Sequence, residues 1–92
     1  MRLRKQRKIG FSPNVYYYKP QGVPMRMLSE VDLTLEETEA LRLHDYKGIE
    51  QIKAAEKMKI SQSTFARTLD SVHKKIAQAI IEGKAVRIIG LE

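Results

Sequence analysis

The residues best suited to chemistry in this sequence lie at the start of one predicted helix. Glutamine side chains pair with adenine, arginine with guanine, and serine or threonine with bases or phosphates, while alanine can touch a thymine methyl group. In a helix that enters the major groove of DNA, the amino-terminal residues reach the base edges. The predicted base-reading residues are Gln62, Ser63, Thr64, Ala66 and Arg67. The alternative interpretation is a solvated helix face that carries an Asp70–Lys74 pair at helical spacing.

Basic side chains suited to phosphate contacts lie in the amino-terminal segment and on the predicted reading helix. The first eight residues contain five positive charges and no negative one, and such charges repel, so residues 1–13 are predicted to be a flexible arm. The arm either follows phosphates and minor grooves, as homeodomain arms do, or is a solubilising tail. The predicted phosphate-contacting residues are Ser61, Arg2, Arg4, Lys5, Arg7, Lys8, Lys74 and Lys75. For Lys74 and Lys75, a solvated helix face is the alternative.

Residues 51–69 (QIKAAEKMKISQSTFARTL) have the pattern of a helix-turn-helix, whose second helix can lie in the major groove. The first helix is predicted over residues 50–58, and Ser61 is a strong N-cap for the second helix. Ala55 is small where the two helices would cross closely. The apolar positions around and after the turn are Met58, Ile60, Phe65 and Leu69.

The turn of this pattern contains one unusual residue. Glycine is common at the position after Met58, because a left-handed backbone is easiest for glycine, but this chain has Lys59. A lysine in that conformation would cost about 1 kcal/mol. The fold would tolerate this, so the turn is still predicted.

The reading helix is predicted to continue unbroken to Glu82, with Gly83 as its stop. Its apolar residues recur at steps of three and four, which indicates one stripe facing the core or another helix. The residues of this stripe are Phe65, Leu69, Val72, Ile76 and Ile80. His73 is interpreted as a polar surface group without a catalytic role.

Another helix is predicted before these two helices in the sequence, over residues 35–46. Thr34 and Glu37 form a capping box at its start, and Gly48 supplies a left-handed stop. The acidic residues of its first turns favour the positive end of the helix dipole. This explains them better than a metal or acid–base site, because no matching pair of ligands occurs elsewhere in the sequence.

This first helix is apolar on two sides, so we expect it to be covered on two sides. The helix-turn-helix would cover one side, and the tyrosine strand or a dimer partner would cover the other. The first side contains Ala40, Leu41 and Leu43, and the second contains Leu35 and Tyr46.

Two short strands are predicted near the ends of the chain, over residues 14–19 (NVYYYK) and 84–89 (KAVRII). They would form a two-stranded element, within one subunit or between two, that must pack on the helices. Residues 21–32 between strand and first helix are interpreted as a turn and an apolar connector. The three tyrosines are interpreted as packing residues, and a stacking platform for single-stranded nucleic acid is the alternative.

The composition narrows the classes of protein. The 92 residues suffice for one small domain with a marginal core, so a homodimer is predicted from size. The formal charge of +6 favours a polyanionic partner. The sequence shows no cysteine, no membrane-spanning run and no secretion signal, so we expect a cytoplasmic protein without membrane contact. It also shows no nucleophile–base set and no metal cluster, so we expect no catalytic residue, cofactor or metal.

Nearly the whole chain resembles a known family. The matching segments are FSPNVYYYKPQGVP, LTLEETEALRLHDYKGIEQIKAAEKMKIS and TFARTLDSVHKKIAQAIIEGKAVRI. They are similar to an uncharacterised prokaryotic family of predicted DNA-binding proteins, with a domain of unknown function whose helix-turn-helix is similar to region 4 of sigma factors. The resemblance implies a cytoplasmic protein of bacteria or archaea that binds specific DNA sequences in transcription.

The chain departs from this family at three points. Family members often have glycine where Lys59 stands and arginine where Gln62 stands, so their base preference is not carried over. Many also have a cysteine near the basic amino terminus, and its absence here argues against a redox or metal role.

These observations predict a mainly α fold: a helix-turn-helix three-helix core, a long third helix, and a small two-stranded β element from the terminal segments. Residues 1–13 are the arm and residues 14–92 the single DNA-binding domain, with its core at about 34–82. The expected function is sequence-specific binding of double-stranded DNA as a transcriptional regulator. The alternatives are a non-specific nucleic-acid binder and a sigma-like module that docks on the transcription machinery.

Overall fold

The computed structural model describes residues 16–89, which form three helices and three short strands. The helices are α1 (Leu35–Leu41), α2 (Gln51–Met58) and α3 (Gln62–Glu82), and the strands are β1 (Tyr16–Tyr18), β2 (Glu30–Leu33) and β3 (Ala85–Ile88). A π-helical turn, Arg42–Tyr46, continues α1, and a 3-10 turn, Met25–Met27, lies between β1 and β2. The predicted mainly helical fold, with a long third helix and a small terminal sheet, is confirmed.

The sheet has three strands, in the order β1-β3-β2, so the predicted count of two was wrong. The two predicted strands do pair, and the structure shows that they run antiparallel, with Tyr17 opposite Arg87. The additional strand, β2, comes from the segment interpreted as a connector and pairs with β3 in parallel. Its burial alternates, with Val31 and Leu33 buried. The helices supply the long crossover that parallel pairing requires.

One arginine joins all three strands on the polar face of this sheet. Arg87 of β3 donates two hydrogen bonds to the carboxylate of Asp32 in β2, both 3.0 Å long. Hydrogen bonds with Asp32 and then Tyr17 raise the pKa of Arg87 above its ordinary value. The pairing of planar guanidinium and carboxylate explains why so short a sheet holds one register.

The core lies where α1 and α2 pack against α3. Phe65, Met58 and Val72 are its largest fully buried side chains. The predicted stripe on α3 is confirmed except at its end: Ile80 is 73 % exposed, whereas Ala79 is only 3 % exposed. A strict alternation of four- and three-residue steps from Phe65 arrives at Ala79. Its small side chain allows the end of α3 to pack closely against the sheet.

The ends of the helices follow the predicted capping chemistry. At α1, Thr34 Oγ1 accepts from the N–H of Glu37 at 3.1 Å, and the N–H of Thr34 donates to Glu37 Oε1 at 3.0 Å. Gly83 ends α3 with a φ of 68°. The first helix spans the predicted residues, but its last five are π-helical, with a hydrogen bond of 2.8 Å from the N–H of Lys47 to the carbonyl of Arg42.

The second side of the first helix is only partly covered. Leu35 is buried, but Tyr46 is 82 % exposed. Within residues 16–89, neither the tyrosine strand nor any other element covers Tyr46. Tyr17 and Tyr18 are themselves exposed. The expected cover by a dimer partner stays a prediction.

Candidate nucleic-acid interface

Helices α2 and α3 are joined by the predicted tight turn, in which Lys59 has the left-handed conformation that glycine adopts most easily (φ 61°, ψ 45°). The N–H of Lys59 donates to the carbonyl of Glu56 at 3.0 Å, and the N–H of Ile60 to that of Ala55 at 3.1 Å. These bonds satisfy carbonyls at the end of α2. A non-glycine residue there costs about 1 kcal/mol. Met58 on one side of the turn is fully buried, so the turn is anchored in the core.

Hydroxyl groups organise the first turns of α3. Ser61 is the predicted N-cap, since its Oγ accepts from the N–H of Thr64 at 3.1 Å. The same hydroxyl donates to Thr64 Oγ1 at 2.9 Å, and Arg67 Nη2 donates to Thr64 Oγ1 at 3.3 Å. This chain of contacts holds the Arg67 side chain near the start of the helix.

The structure brings the five predicted base-reading residues together on the first two turns of α3. Gln62, Ser63, Ala66 and Arg67 are exposed, and Thr64 is half-buried. The buried side chains of Phe65 and Leu69 hold the opposite side of the helix against the core. The start of α3 therefore presents a polar surface backed by a fixed scaffold.

The predicted phosphate-contacting residues differ from one another in their exposure and in their contacts. Lys74 is exposed, with only a 3.5 Å contact to Asp70, as the alternative interpretation expected. Lys75 lies partly inside: its Nζ donates to the carbonyl of Asp32 at 2.8 Å and to Glu37 Oε1 at 2.9 Å. These contacts hold the ammonium group of Lys75 against Asp32 and Glu37, so Lys75 serves the packing of the fold. Ser61 is exposed, and its hydroxyl serves the cap. The five arm residues lie outside the described part of the chain.

The contacts of Lys75 belong to a network that joins α1, α3 and β2. Glu37 is buried and accepts from Thr34, from Lys75 and, at 2.6 Å, from Ser71. Burial would raise the pKa of Glu37, but the hydrogen bonds from Ser71, Thr34 and Lys75 outweigh it, so the pKa lies below its ordinary value. The network fixes α3 relative to α1. Sequence reasoning saw only its capping part, because Ser71 and Lys75 are more than 30 residues from Glu37.

Four lysines that sequence reasoning missed lie on α2 and next to its two ends. They are Lys47, Lys53, Lys57 and Lys59, and like the predicted Arg67 they take part in no ion pair within residues 16–89. Five of the seven other basic side chains in residues 16–89 are paired with a carboxylate, as Arg42 is with Glu39 at 2.8 Å. Residues 47–67 carry a formal charge of +3, against +2 for residues 16–89 as a whole. The sequence feature that could have revealed this group is the spacing of Lys53 and Lys57, because residues four apart share one side of a helix.

An open cleft of about 310 Å³ lies next to Arg67. The cleft is lined by Thr34, Glu36, Glu37, Thr64, Arg67, Thr68 and Ser71. Two lining hydroxyls donate internally, from Ser71 to Glu37 and from Thr68 to the carbonyl of Thr64. The cleft therefore offers few free polar groups to a small ligand.

Neither a metal site nor a membrane span is found in the described part of the chain. Over residues 16–89, no three His, Asp or Glu side chains are grouped so as to hold a metal ion. No helix there has the length and apolar character needed to cross a membrane. His73 Nε2 lies 2.8 Å from Asp45 Oδ2 and so links α3 to the π-helical turn.

These features define a small, mainly helical domain in which a mixed three-stranded sheet closes a three-helix core. The chain belongs to the family described as Protein of unknown function DUF134, which it matches over residues 1–92. The predicted membership of an uncharacterised family is thereby confirmed, whereas DNA binding and the similarity to sigma factors stay predictions. Neither its description nor the names of the relatives states an activity or a ligand.

Curated relatives are identical to this chain at about half of the aligned positions. It is 51 % identical over 86 residues to a UPF0251 protein of Thermoanaerobacter pseudethanolicus, covering 94 % of this chain and 73 % of the relative. It is also 51 % identical to a UPF0251 protein of Dehalococcoides mccartyi, covering 94 % of this chain and 74 % of that relative. No solved structure matches the chain.

Proposed function

We propose that this protein binds double-stranded DNA with sequence preference and regulates transcription, with α2 and α3 acting as a helix-turn-helix and α3 entering the major groove. The observation that carries this proposal is the exposed polar surface at the start of α3, directly after an anchored left-handed turn. In groove-reading helices these positions contact bases. We propose a binding protein and not an enzyme.

Each of the five side chains at the start of α3 has a definite role in this proposal. Arg67 pairs with guanine and Gln62 with adenine, while Ser63 and Thr64 contact a base or a phosphate. Ala66 lets the helix approach closely or touches a thymine methyl group. The arm residues and Lys74 add salt-sensitive phosphate contacts.

The rigid support of α3 also favours sequence reading over general charge attraction. Base contacts need side chains held in register with base edges. Here Phe65 and Val72 lock α3 in the core, and the Glu37 network ties it to α1.

We further propose that the binding unit is a homodimer. A chain of 92 residues has a limited core of its own. The end of α3 exposes two neighbouring isoleucines, Ile80 and Ile81, and the first helix exposes Tyr46. A second copy that covers the isoleucines would remove apolar surface from water, and two-fold symmetry would then be mirrored in the DNA site.

In-vitro selection from a random duplex library tests the proposal. We expect enrichment of one motif, arranged as a palindrome if the protein binds as a dimer. Retention without enrichment, or stronger retention on single strands than on duplexes, would support the non-specific binder instead. Lack of retention on any DNA even at low salt would reject the proposal and favour a module that docks on transcription machinery.

A further inference from the structure

We propose that Lys59, with Lys53 and Lys57, forms a ridge that contacts the DNA phosphate backbone beside the groove entered by α3. This lysine ridge rests on the proposed DNA binding. It replaces Lys75, whose ammonium group is occupied by Glu37 and Asp32.

The backbone of Lys59 is the first argument for this role. Lys59 is the only non-glycine residue in the described part of the chain with a positive φ, at 61°. Glycine would adopt this conformation without strain. Strain of this kind clusters where a side chain is needed for function. The hydrogen bonds of the turn use only the backbone of Lys59, so they do not require a lysine there.

The position of the ridge is the second argument. Lys59 lies two residues before Ser61, the N-cap of α3, and is therefore next to the proposed reading surface. Lys53 and Lys57 are four residues apart and share one exposed side of α2. In helix-turn-helix proteins the first helix crosses the DNA backbone while the second enters the groove.

The availability of the three ammonium groups is the third argument. No ion pair within residues 16–89 engages Lys53, Lys57 or Lys59. Lys84 at the far end of α3, in contrast, lies 3.3 Å from Glu82. Cations on an exposed surface that have no acidic partner are free to replace counterions at phosphates.

The test compares Lys59→Gly and Lys59→Arg on a selected duplex and on a random duplex over a range of salt concentrations. One phosphate contact contributes about 0.9 to the slope of log affinity against log salt, so its loss weakens binding about 8-fold at about 0.1 M salt. We expect Lys59→Gly to lose this amount equally on both duplexes. Its melting temperature should rise because the strain is relieved. Lys59→Arg should keep the affinity.

Two further variants complete the comparison. Lys53→Gln combined with Lys57→Gln should lower the salt slope by about 1.8. Lys84→Gln is the matched control, because it removes one positive charge at the other end of α3, which is 21 residues or about 31 Å long.

Two results would overturn the lysine ridge. If the wild-type protein binds duplex DNA and the Lys59→Gly variant binds equally well, or loses no more than Lys84→Gln, the ridge is rejected and the proposed function stands. If the wild-type protein binds no duplex even at low salt, both are rejected.

Discussion

Replacing Glu37 by glutamine should destabilise the fold while leaving its shape almost unchanged. The carboxylate of Glu37 accepts from Lys75 at 2.9 Å, from Ser71 at 2.6 Å and from the N–H of Thr34 at 3.0 Å. A hydrogen bond to a charged group contributes about 1.5–3 kcal/mol, against about 0.5–1.5 kcal/mol between neutral groups. Losing the charge weakens all three bonds. The partial exposure of Lys75 limits the loss, so we expect about 2–3 kcal/mol.

Thermal unfolding followed by circular dichroism measures this effect. For a domain of this size, 2–3 kcal/mol corresponds to a fall in melting temperature of about 8–24 °C. Glu82→Gln is the matched control: Glu82 lies near the surface, 3.3 Å from Lys84 and 3.3 Å from Gln78, and the loss of its charge should change stability by less than about 0.5 kcal/mol.

The pH dependence of the stability difference between wild type and Glu37→Gln shows whether the charge of Glu37 causes it. The folded pKa of Glu37 lies below its ordinary value of 4.5, so its charge stabilises the fold above that pH. This contribution is lost as the pH falls through the lowered pKa. The difference in stability between wild type and Glu37→Gln should therefore be full at neutral pH and shrink in acid. A loss equal to that of Glu82→Gln, or one that does not change with pH, would refute the structural role of this charge.

Three other changes test separate parts of the structure. Ser61→Ala removes the N-cap of α3 and should lower the free energy of unfolding by about 1 kcal/mol in urea titrations; no change would contradict the capping bond. Phe65→Ala empties a fully buried position and should cost about 3–5 kcal/mol, and a loss below 1 kcal/mol would show that the core is elsewhere. Ile80→Asp combined with Ile81→Asp should leave stability within about 0.5 kcal/mol because both residues are exposed, yet weaken self-association in analytical ultracentrifugation. Unchanged association would exclude them from the dimer interface.

Features set by neighbouring residues were predictable from the sequence. The N-caps at Thr34 and Ser61 and the stop at Gly83 depend on hydrogen bonds and backbone preferences within a few residues. The left-handed Lys59 was predictable because the apolar positions around the turn define its geometry.

Features set by distant residues were not predictable. Strand β2 has four residues and pairs with β3, which is about 55 residues further along the chain, so no local pattern marks it. From the sequence, Lys75 is indistinguishable from a surface lysine, because its partners Glu37 and Asp32 are brought to it only by the fold. The π-helical end of the first helix also follows from packing and not from a local signal.

The most direct test of sequence reading measures the affinity of Arg67→Ala for the selected duplex and for a scrambled duplex at one salt concentration. We predict that this variant loses about 1–3 kcal/mol, or about 5- to 150-fold, on the selected duplex and much less on the scrambled one. Lys74→Ala is the matched control, since the loss of a phosphate contact should be equal on both duplexes. If Arg67→Ala loses the same affinity on both duplexes, α3 does not read bases through Arg67, and the central proposal is contradicted.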